Sequence, residues 1–355
     1  MRRNHAMTLF VFLLLSGPLA WGWEVTTLHE FTGGANDGSS PLAGLTLVGS
    51  TLYGMTQFGG DSNGGTIFSI GADGNGFTLL REFAGGGSDG YSPYGGLTAG
   101  GSTLYGMTNT GGDSHGGTIF SIGADGSGFT LLHEFAGGSN DGLYPVRSLT
   151  LSGSTLYGMT IHGGDSDVGT IFSIGTDGND FELLHEFTGG ANGGAYPYGN
   201  LILSGSTLYG TTYGGGDNDA GTIFSVGTDG NGFGLLHEFA GGAADGSHPT
   251  STLTLSGTTL FGTTQNGGDN NAGTVFSVET SGDGFALLHE FAGGGNDGAV
   301  PYGGLTLDGS MLYGMTRDGG DGNLGTIFIV TPEPGTVALL GLGAIGLAAW
   351  RRKRM

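Results

Sequence analysis

The chain has 355 residues, of which 82 are glycine and none is cysteine, and its formal net charge is −22. Glycine at this level without a Gly-X-Y period excludes collagen, and the lack of cysteine excludes disulfides, so packing or bound ions must stabilise the fold. The acidic balance excludes nucleic acid and anionic lipid as partners and favours cations or basic molecules.

The first 22 residues have the order of a secretory signal peptide. Arg2 and Arg3 precede an apolar run over residues 9–15, and Ala20 and Gly22 supply small residues for cleavage. We therefore expect an exported protein whose mature chain begins at Trp23. The alternative is a buried N-terminal helix.

Residues 23–331 repeat with a period of 52 residues. A Leu-Tyr-Gly phrase, a phenylalanine and a proline recur six times without a slip in register, with Phe replacing Tyr in the fifth phrase. The leucines of this phrase are Leu52, Leu104, Leu156, Leu208, Leu260 and Leu312. Such a period indicates identical supersecondary units, each of which needs a neighbour to bury its apolar face. Residues repeated six times are more often structural than catalytic.

One repeat predicts four short strands. In the second repeat they cover residues 97–99, 102–108, 117–123 and 129–135, and an Asp-Gly hairpin turn separates the last two. No stretch has the 3.6-residue periodicity of an amphipathic helix. Four antiparallel strands per repeat are typical of a propeller blade.

The phase of the repeats predicts how the array ends. An unpaired fourth strand, residues 25–31, precedes the first repeat, and the sixth repeat stops after its third strand, residues 325–330. We therefore predict an all-β, six-bladed β-propeller of four-stranded antiparallel blades, with the ring closed by the N-terminal strand. An open solenoid is the alternative, and it would need capping repeats.

The repeat resembles a known family of bacterial extracellular repeats, the Gloeobacter and Verrucomicrobia type. The motifs that carry the resemblance are Leu-Tyr-Gly-Met-Thr, Gly-Gly-Asp, Gly-Thr-Ile-Phe and Leu-Leu-His-Glu-Phe, at constant offsets over almost the whole mature chain. The resemblance implies an exported protein with a surface anchor, and it implies no reaction.

Residues 332–355 form a second targeting segment. Pro332, Glu333 and Pro334 precede an apolar stretch over residues 336–350 and a basic end at residues 351–354. The apolar stretch is shorter than the ~20 residues of a relaxed membrane span. The three parts resemble the PEP-CTERM sorting signal of Gram-negative bacteria. The resemblance implies a transient inner-membrane anchor, cleavage by an exosortase-type enzyme, and delivery to the cell surface or extracellular polysaccharide matrix. A plain single-span anchor is the alternative.

Acidic loops between the second and third strands suggest calcium. The loops richest in carboxylate carry Asp165, Asp167, Asp217 and Asp219, and calcium prefers several such oxygens. These four residues are our candidate calcium ligands. The alternative is that they form side-chain-to-backbone turns without an ion.

Two further patterns have both a structural and a functional interpretation. A His-Glu pair recurs in the predicted outer strands, for example His133-Glu134, and we expect contacts between blades rather than acid–base catalysis. Tyr94, Tyr198 and Tyr302 follow loop prolines and should lie near the channel mouth. There they either stack on sugar rings or pack against the loops.

The sequence favours a non-enzymatic surface or extracellular-matrix protein, a binding or structural module of the exopolysaccharide layer. Between the targeting ends, 30 acidic residues face three basic ones, a net charge of −27. Apart from calcium, no cofactor is expected. The alternative is a propeller-type polysaccharide lyase or glycosidase, which needs asymmetric polar residues at the channel mouth. The departures from the repeat are scattered: Arg147, Asn200, His248 and Asp318.

Overall fold

The computed structural model describes residues 26–295 and 297–332. The signal peptide predicted at residues 1–22 and the sorting tail from residue 333 lie outside them. The described residues form strands and turns without a helix, which confirms the all-β prediction. Within this part of the chain no helix is long and apolar enough to cross a membrane.

Each repeat supplies up to four consecutive strands to one sheet. The first strands are Thr46–Val48, Thr98–Gly100, Thr150–Ser152, Ile202–Ser204, Thr254–Ser256 and Thr306–Asp308. The second strands are Thr51–Thr56, Thr103–Thr108, Thr155–Gly163, Thr207–Thr212, Thr259–Thr264 and Met311–Gly319. The third strands are Thr66–Gly71, Thr118–Gly123, Thr170–Gly175, Thr222–Gly227, Thr274–Glu279 and Thr326–Val330. The fourth strands are Thr78–Glu82, Thr130–Glu134, Glu182–Glu186, Gly234–Glu238 and Ala286–Glu290.

Strands that follow each other in sequence pair antiparallel, so each sheet is a meander. We number the sheets 1 to 6 in chain order. In the second repeat the observed strands begin and end within one residue of the predicted ones, which confirms the four-strand unit. Sheet 6 has no fourth strand among the described residues.

Two loops of each repeat lie on the same side of the sheets. The entry loop precedes the first strand, and the middle loop joins the second strand to the third. Short antiparallel pairs connect these two loops within a repeat, as Gly90–Tyr91 pairs with Thr110–Gly111 in the second repeat. In the third and sixth repeats the entry-loop strands Gly142–Pro145 and Gly298–Pro301 pair with a longer second strand.

Glycine and aspartate produce the local shape of the repeat. In the hairpin of sheet 2, Asp125 Oδ1 accepts hydrogen bonds from the backbone and hydroxyl of Ser127, 3.0 and 2.6 Å long. In the second strand, a Cβ atom on Gly106 would lie 2.5 Å from the Phe120 ring, so glycine leaves room for this buried side chain.

The core lies between successive sheets. Five apolar clusters join sheets 1 and 2, 2 and 3, 3 and 4, 4 and 5, and 5 and 6. The cluster between sheets 2 and 3 contains Tyr105, Met107, Ile119, Phe135, Leu149, Leu156, Phe172 and Ile174. Each of sheets 2 to 5 therefore buries its two faces against two different neighbours.

The two ends of the array expose the faces that are buried elsewhere. On sheet 1 Leu45 is 52% exposed, and on sheet 6 Met315 and Ile327 are 60% and 82% exposed. The predicted ring-closing strand is residues 25–31, of which residues 26–31 are described. They are not assigned to a strand, and they pack on sheet 1 with the His29 ring 3.7 Å from the Phe77 ring. Closure of the ring therefore stays a prediction.

The contact between Gly106 and Phe120 predicts the stability of a matched pair of variants. Gly106→Ala places a methyl group against the buried ring, so we expect a loss of about 1–3 kcal/mol in the free energy of unfolding. Gly234→Ala is the control, because a Cβ atom there has no neighbour within 4 Å and the next repeat has Ala286 at this position. Urea unfolding measures both variants, and equal stabilities would contradict the prediction.

Candidate functional site

A cavity of about 590 Å³ opens where the entry and middle loops meet. It is lined by Tyr94, His162, Tyr196, Tyr198, Tyr213, Thr250, Gln265 and Tyr302. These side chains come from the second to the sixth repeat. The structure therefore brings together the three tyrosines that the sequence singled out, although they are 104 residues apart in the chain.

Aromatic rings form two connected groups along this cavity. The Tyr213 ring lies 5.8 Å from the Tyr198 ring and 4.5 Å from the His248 ring. In the second group the ring centroids of His162 and Tyr196 are 5.5 Å apart. The lining therefore combines separate aromatic groups with the polar side chains of Thr250 and Gln265.

The backbone holds the tyrosine-bearing entry loops in place. Tyr196 has a φ of 56°, and its backbone N–H donates to the carbonyl of Val168 in the preceding repeat, 2.8 Å away. The same bond recurs at the next junction, where His248 N–H donates to the carbonyl of Ala220. Because proline follows each of these residues and fixes φ, the next side chain, such as Tyr198, projects in a defined direction.

One cation lies beside the cavity. Arg147 Nε donates to the carbonyl of Tyr198 at 2.8 Å, Nη2 donates to the carbonyl of Thr250 at 3.4 Å, and the guanidinium carbon is 5.6 Å from the Tyr302 ring centroid. Its charge is therefore directed largely to backbone carbonyl groups and to an aromatic face.

Of the four departures from the repeat, two belong to this region. Arg147 and His248 contact cavity residues, whereas Asn200 accepts a hydrogen bond from the backbone of Ser148 and Asp318 pairs with Arg317. The description of all four as scattered is therefore wrong for Arg147 and His248. The sequence analysis also missed His162, Tyr196, Tyr213, Thr250 and Gln265, which lie at loop positions whose residue varies between repeats.

Burial and neighbouring tyrosines affect the acidity of Tyr198. Burial is the larger cause and raises its pKa, and the nearby Tyr302 and Tyr94 act in the same direction. The phenol therefore stays protonated at neutral pH and can donate a hydrogen bond.

The repeated His-Glu pairs make contacts within and between repeats. The His133 ring stacks on Phe181 of the next repeat at 3.8 Å, and its Nε2 lies 3.0 Å from Asp141 Oδ1. The predicted contact between repeats is confirmed, but the acidic partner is eight residues further along the chain, in the next entry loop. Glu134 accepts a hydrogen bond from the backbone of Asp113, which fixes the middle loop.

His185, in the fourth strand of the third repeat, has no acidic partner in the next entry loop. Five entry loops carry the pairing carboxylate, at Asp37, Asp89, Asp141, Asp245 and Asp297, and Gly193 stands at the corresponding position. Burial lowers the pKa of His185 from 6.5 to about 4.

Gly193→Asp should restore the missing pair and change the response to acid. A histidine with a depressed pKa stabilises the wild-type fold above about pH 6.5, and this contribution is lost as the pH falls toward 4. A carboxylate beside His185 raises its pKa, so the variant should lose less of its melting temperature between pH 7.5 and pH 5. An equal decrease in both proteins would contradict this account, and His185→Gln is the control without a titrating ring.

The four candidate calcium ligands lie in two middle loops. Asp167 and Asp219 have φ values of 54° and 53°, and each accepts a hydrogen bond from a backbone N–H four residues earlier, at 2.9 and 2.8 Å. The backbone N–H groups of Asp165 and Asp217 donate to Glu186 and Glu238. Within the described ranges, no group of three or more His, Asp or Glu side chains is placed to hold a metal. The calcium site stays a prediction.

Substitutions of Asp167 test whether its carboxylate stabilises the turn by a hydrogen bond to the backbone. Asparagine keeps the hydrogen bond to the backbone, as Asn63 and Asn271 do in equivalent loops, so Asp167→Asn should retain stability. Asp167→Ala should lose about 1 kcal/mol of unfolding free energy.

Melting temperatures measured at millimolar calcium in ~0.15 M salt test whether these loops bind calcium. A calcium site would be established by two results. Calcium, but not magnesium, should raise the melting temperature of the wild type, and this increase should be lost when four aspartates become Asn: Asp165, Asp167, Asp217 and Asp219.

The comparisons with known proteins concern the repeat and the tail. The Gloeobacter/Verrucomicrobia repeat family matches residues 20–172 and 160–341, and the PEP-CTERM protein-sorting motif matches residues 330–353. The chain is thus an exported repeat protein with a sorting signal for the cell surface or beyond, which implies processing by an exosortase-type enzyme. No curated protein matches the chain significantly.

Two solved structures are similar to the chain at low identity. A chain of the nidogen/laminin complex has 16% identity and a TM-score of 0.43, over 71% of this chain and 82% of that one. TolB from Acinetobacter baumannii has 13% identity and a TM-score of 0.41, over 66% of this chain and 50% of that one. At these TM-scores neither similarity supports a conclusion. The family matches cover most of the residues, and the chain belongs to the Gloeobacter/Verrucomicrobia repeat family.

Proposed function

We propose that this protein is a non-enzymatic binding module of the extracellular polysaccharide layer, and that the tyrosine-lined cavity is its binding site. The observation that supports this proposal is that five tyrosines line one cavity: Tyr94, Tyr196, Tyr198, Tyr213 and Tyr302. Aromatic faces bind the apolar faces of sugar rings, and side chains with few rotatable bonds lose little entropy on binding.

The lining supports binding better than sugar cleavage. Glycoside hydrolysis generally uses a pair of carboxylates at the reacting bond. The eight lining residues include no aspartate or glutamate. A glycosidase therefore has no specific support at this cavity.

Retention on polysaccharide tests the proposed function. The full chain, mixed with exopolysaccharide isolated from the bacterium that produces it, should co-sediment with the polymer, and the polymer should keep its length. A chain that stays in the supernatant would refute the binding function, and a shortened polymer would indicate an enzyme. Heat-unfolded protein is the control for nonspecific trapping.

We also propose that the six sheets are the blades of a closed propeller. Relative to sheet 1, residues 26–31 already have the position of a preceding fourth strand. Leu28 lies 3.1 Å from the Cβ position of Gly74, as Leu80 lies 3.3 Å from that of Gly126. The missing contact is the one with the third strand of sheet 6, where His29 would pair with Ile327 as His133 pairs with Ile119.

The exposed ends of the array are the two halves of a contact that occurs five times inside it. Met315 and Ile327 correspond to Met107 and Ile119, which are buried against the next sheet, and Leu45 corresponds to the buried Leu97. Joining sheet 6 to sheet 1 would cover all three exposed side chains. At about 25 cal/mol per Å² of apolar surface, such burial favours closure.

A designed disulfide tests closure, because the chain has no cysteine of its own. Thr252 and Gly304 hold equivalent positions in sheets 5 and 6, and their Cβ positions are 3.6 Å apart, within the range for a disulfide. Gly44 has the same position in sheet 1. Gly44→Cys with Gly304→Cys should therefore oxidise within one molecule. Thr252→Cys with Gly304→Cys is the positive control.

Mass spectrometry under non-reducing conditions distinguishes the outcomes of this experiment. A disulfide within the monomer supports the closed ring. Disulfide-linked oligomers, or free thiols when the control pair is oxidised, would show that sheets 1 and 6 do not meet within one chain.

A further inference from the structure

The tyrosines of the cavity occur in alternate repeats. After the entry-loop proline the second, fourth and sixth repeats have Tyr94, Tyr198 and Tyr302, each followed by glycine. The first, third and fifth repeats have Leu42, Val146 and Thr250 at this position, each followed by a larger residue: Ala43, Arg147 and Ser251.

The glycines that follow Tyr94 and Tyr198 have a packing reason, whereas a Cβ atom on Gly303 would have no neighbour within 4 Å. A Cβ atom on Gly95 would clash with the carbonyl oxygen of Arg147 in the next repeat, and one on Gly199 would lie 2.8 Å from the carbonyl oxygen of Ser251. An entry loop that contains Tyr-Gly therefore fits against a following entry loop that has a larger residue in place of this glycine. The pairing spaces the tyrosines two repeats apart around the cavity.

The hydroxyl groups of the five tyrosines that line the cavity do not contribute hydrogen bonds to the fold. Among the described residues, Tyr94, Tyr196, Tyr198, Tyr213 and Tyr302 make no side-chain hydrogen bond. Five such groups around one cavity are available to a polar ligand.

The remaining polar groups of the cavity are uncharged or already engaged. Gln265 Nε2 donates to Thr250 Oγ1 at 3.1 Å, and His162 Nδ1 lies 3.1 Å from the carbonyl oxygen of Asp167. Arg147 contacts two backbone carbonyl groups. The lining includes no lysine or arginine and therefore offers no permanent positive charge to a carboxylate or sulfate, and the net charge of −27 on the body repels polyanions at a distance.

From this arrangement we propose that the cavity binds uncharged hexopyranose chains, with Tyr94, Tyr198 and Tyr302 as the stacking and hydrogen-bonding residues. The proposal rests on the proposed polysaccharide-binding function and specifies its ligand class. A cavity of about 590 Å³ is within the usual range for small-molecule sites. Sugar hydroxyls would accept and donate hydrogen bonds at the five phenols, and each ring face would cover a tyrosine.

Calorimetric titration of the full chain with hexasaccharides tests the ligand class. The neutral probes are cellohexaose, maltohexaose and chitohexaose, and the acidic probe is hexagalacturonate. At least one neutral probe should bind, and hexagalacturonate should bind more weakly than that probe or not at all. Tighter binding of hexagalacturonate, or no binding of any neutral probe, would overturn the proposal.

Variants of the same chain test the residues. Tyr198→Ala should weaken binding of the neutral probe about tenfold or more, and Tyr198→Phe, which keeps the ring, should weaken it less. Tyr302→Ala is the second variant, because Tyr302 is 38% exposed and its truncation should leave the fold intact. Tyr105→Phe is the control, since the fifth repeat has Phe261 at this position of the second strand, away from the cavity.

The titrations and the co-sedimentation experiment together distinguish a wrong binding site from a wrong function. Wild-type affinity in both Tyr198→Ala and Tyr302→Ala would overturn the assignment of the cavity, even if the protein still co-sediments with exopolysaccharide. Failure of co-sedimentation would instead refute the polysaccharide-binding function.

Discussion

The structure depends on the packing of one sheet against the next. No described sheet of this chain can bury both of its faces alone, because each is only four or five strands wide and apolar on both sides. Phenylalanine provides much of the contact, as Phe135 of one repeat lies 5.3 Å from Phe172 of the next. The loops that carry the cavity are thereby positioned, since each entry loop also bonds to the preceding repeat.

Features that recur in every repeat could be predicted from the sequence. Strand number and order and the hairpin turns follow from local patterns of glycine, aspartate and β-branched residues. The cavity could be predicted only at Tyr94, Tyr198 and Tyr302, which share a position after proline. His162, Tyr213 and Gln265 lie in different repeats at positions that vary along the array, and only the packing of the sheets brings their loops together. The exposure of Met315 and Ile327 could not be predicted, because their sequence continues the pattern of buried residues.

The distribution of charge separates the surface from the cavity. Aspartate and glutamate occupy the loops and strand ends, where backbone N–H groups and histidine partners hold them, as Asp141 contacts His133, Ala136 and Gly142. The cavity lining has aromatic and neutral polar side chains. An acidic surface favours solubility, and the contacts proposed for the cavity, which lacks charged carboxylates, would be screened little by salt.

Because tyrosine-glycine loops alternate with bulkier loops, the even-numbered repeats of the array differ from the odd-numbered ones. If one 52-residue repeat were lost or gained, two loops of the same kind would meet, and where both lack the glycine a Cβ atom would collide with a neighbouring carbonyl group. The loss or gain of two adjacent repeats would preserve every junction. The unit by which such a chain can grow or shrink without remodelling its loops is therefore the pair of repeats rather than the single repeat.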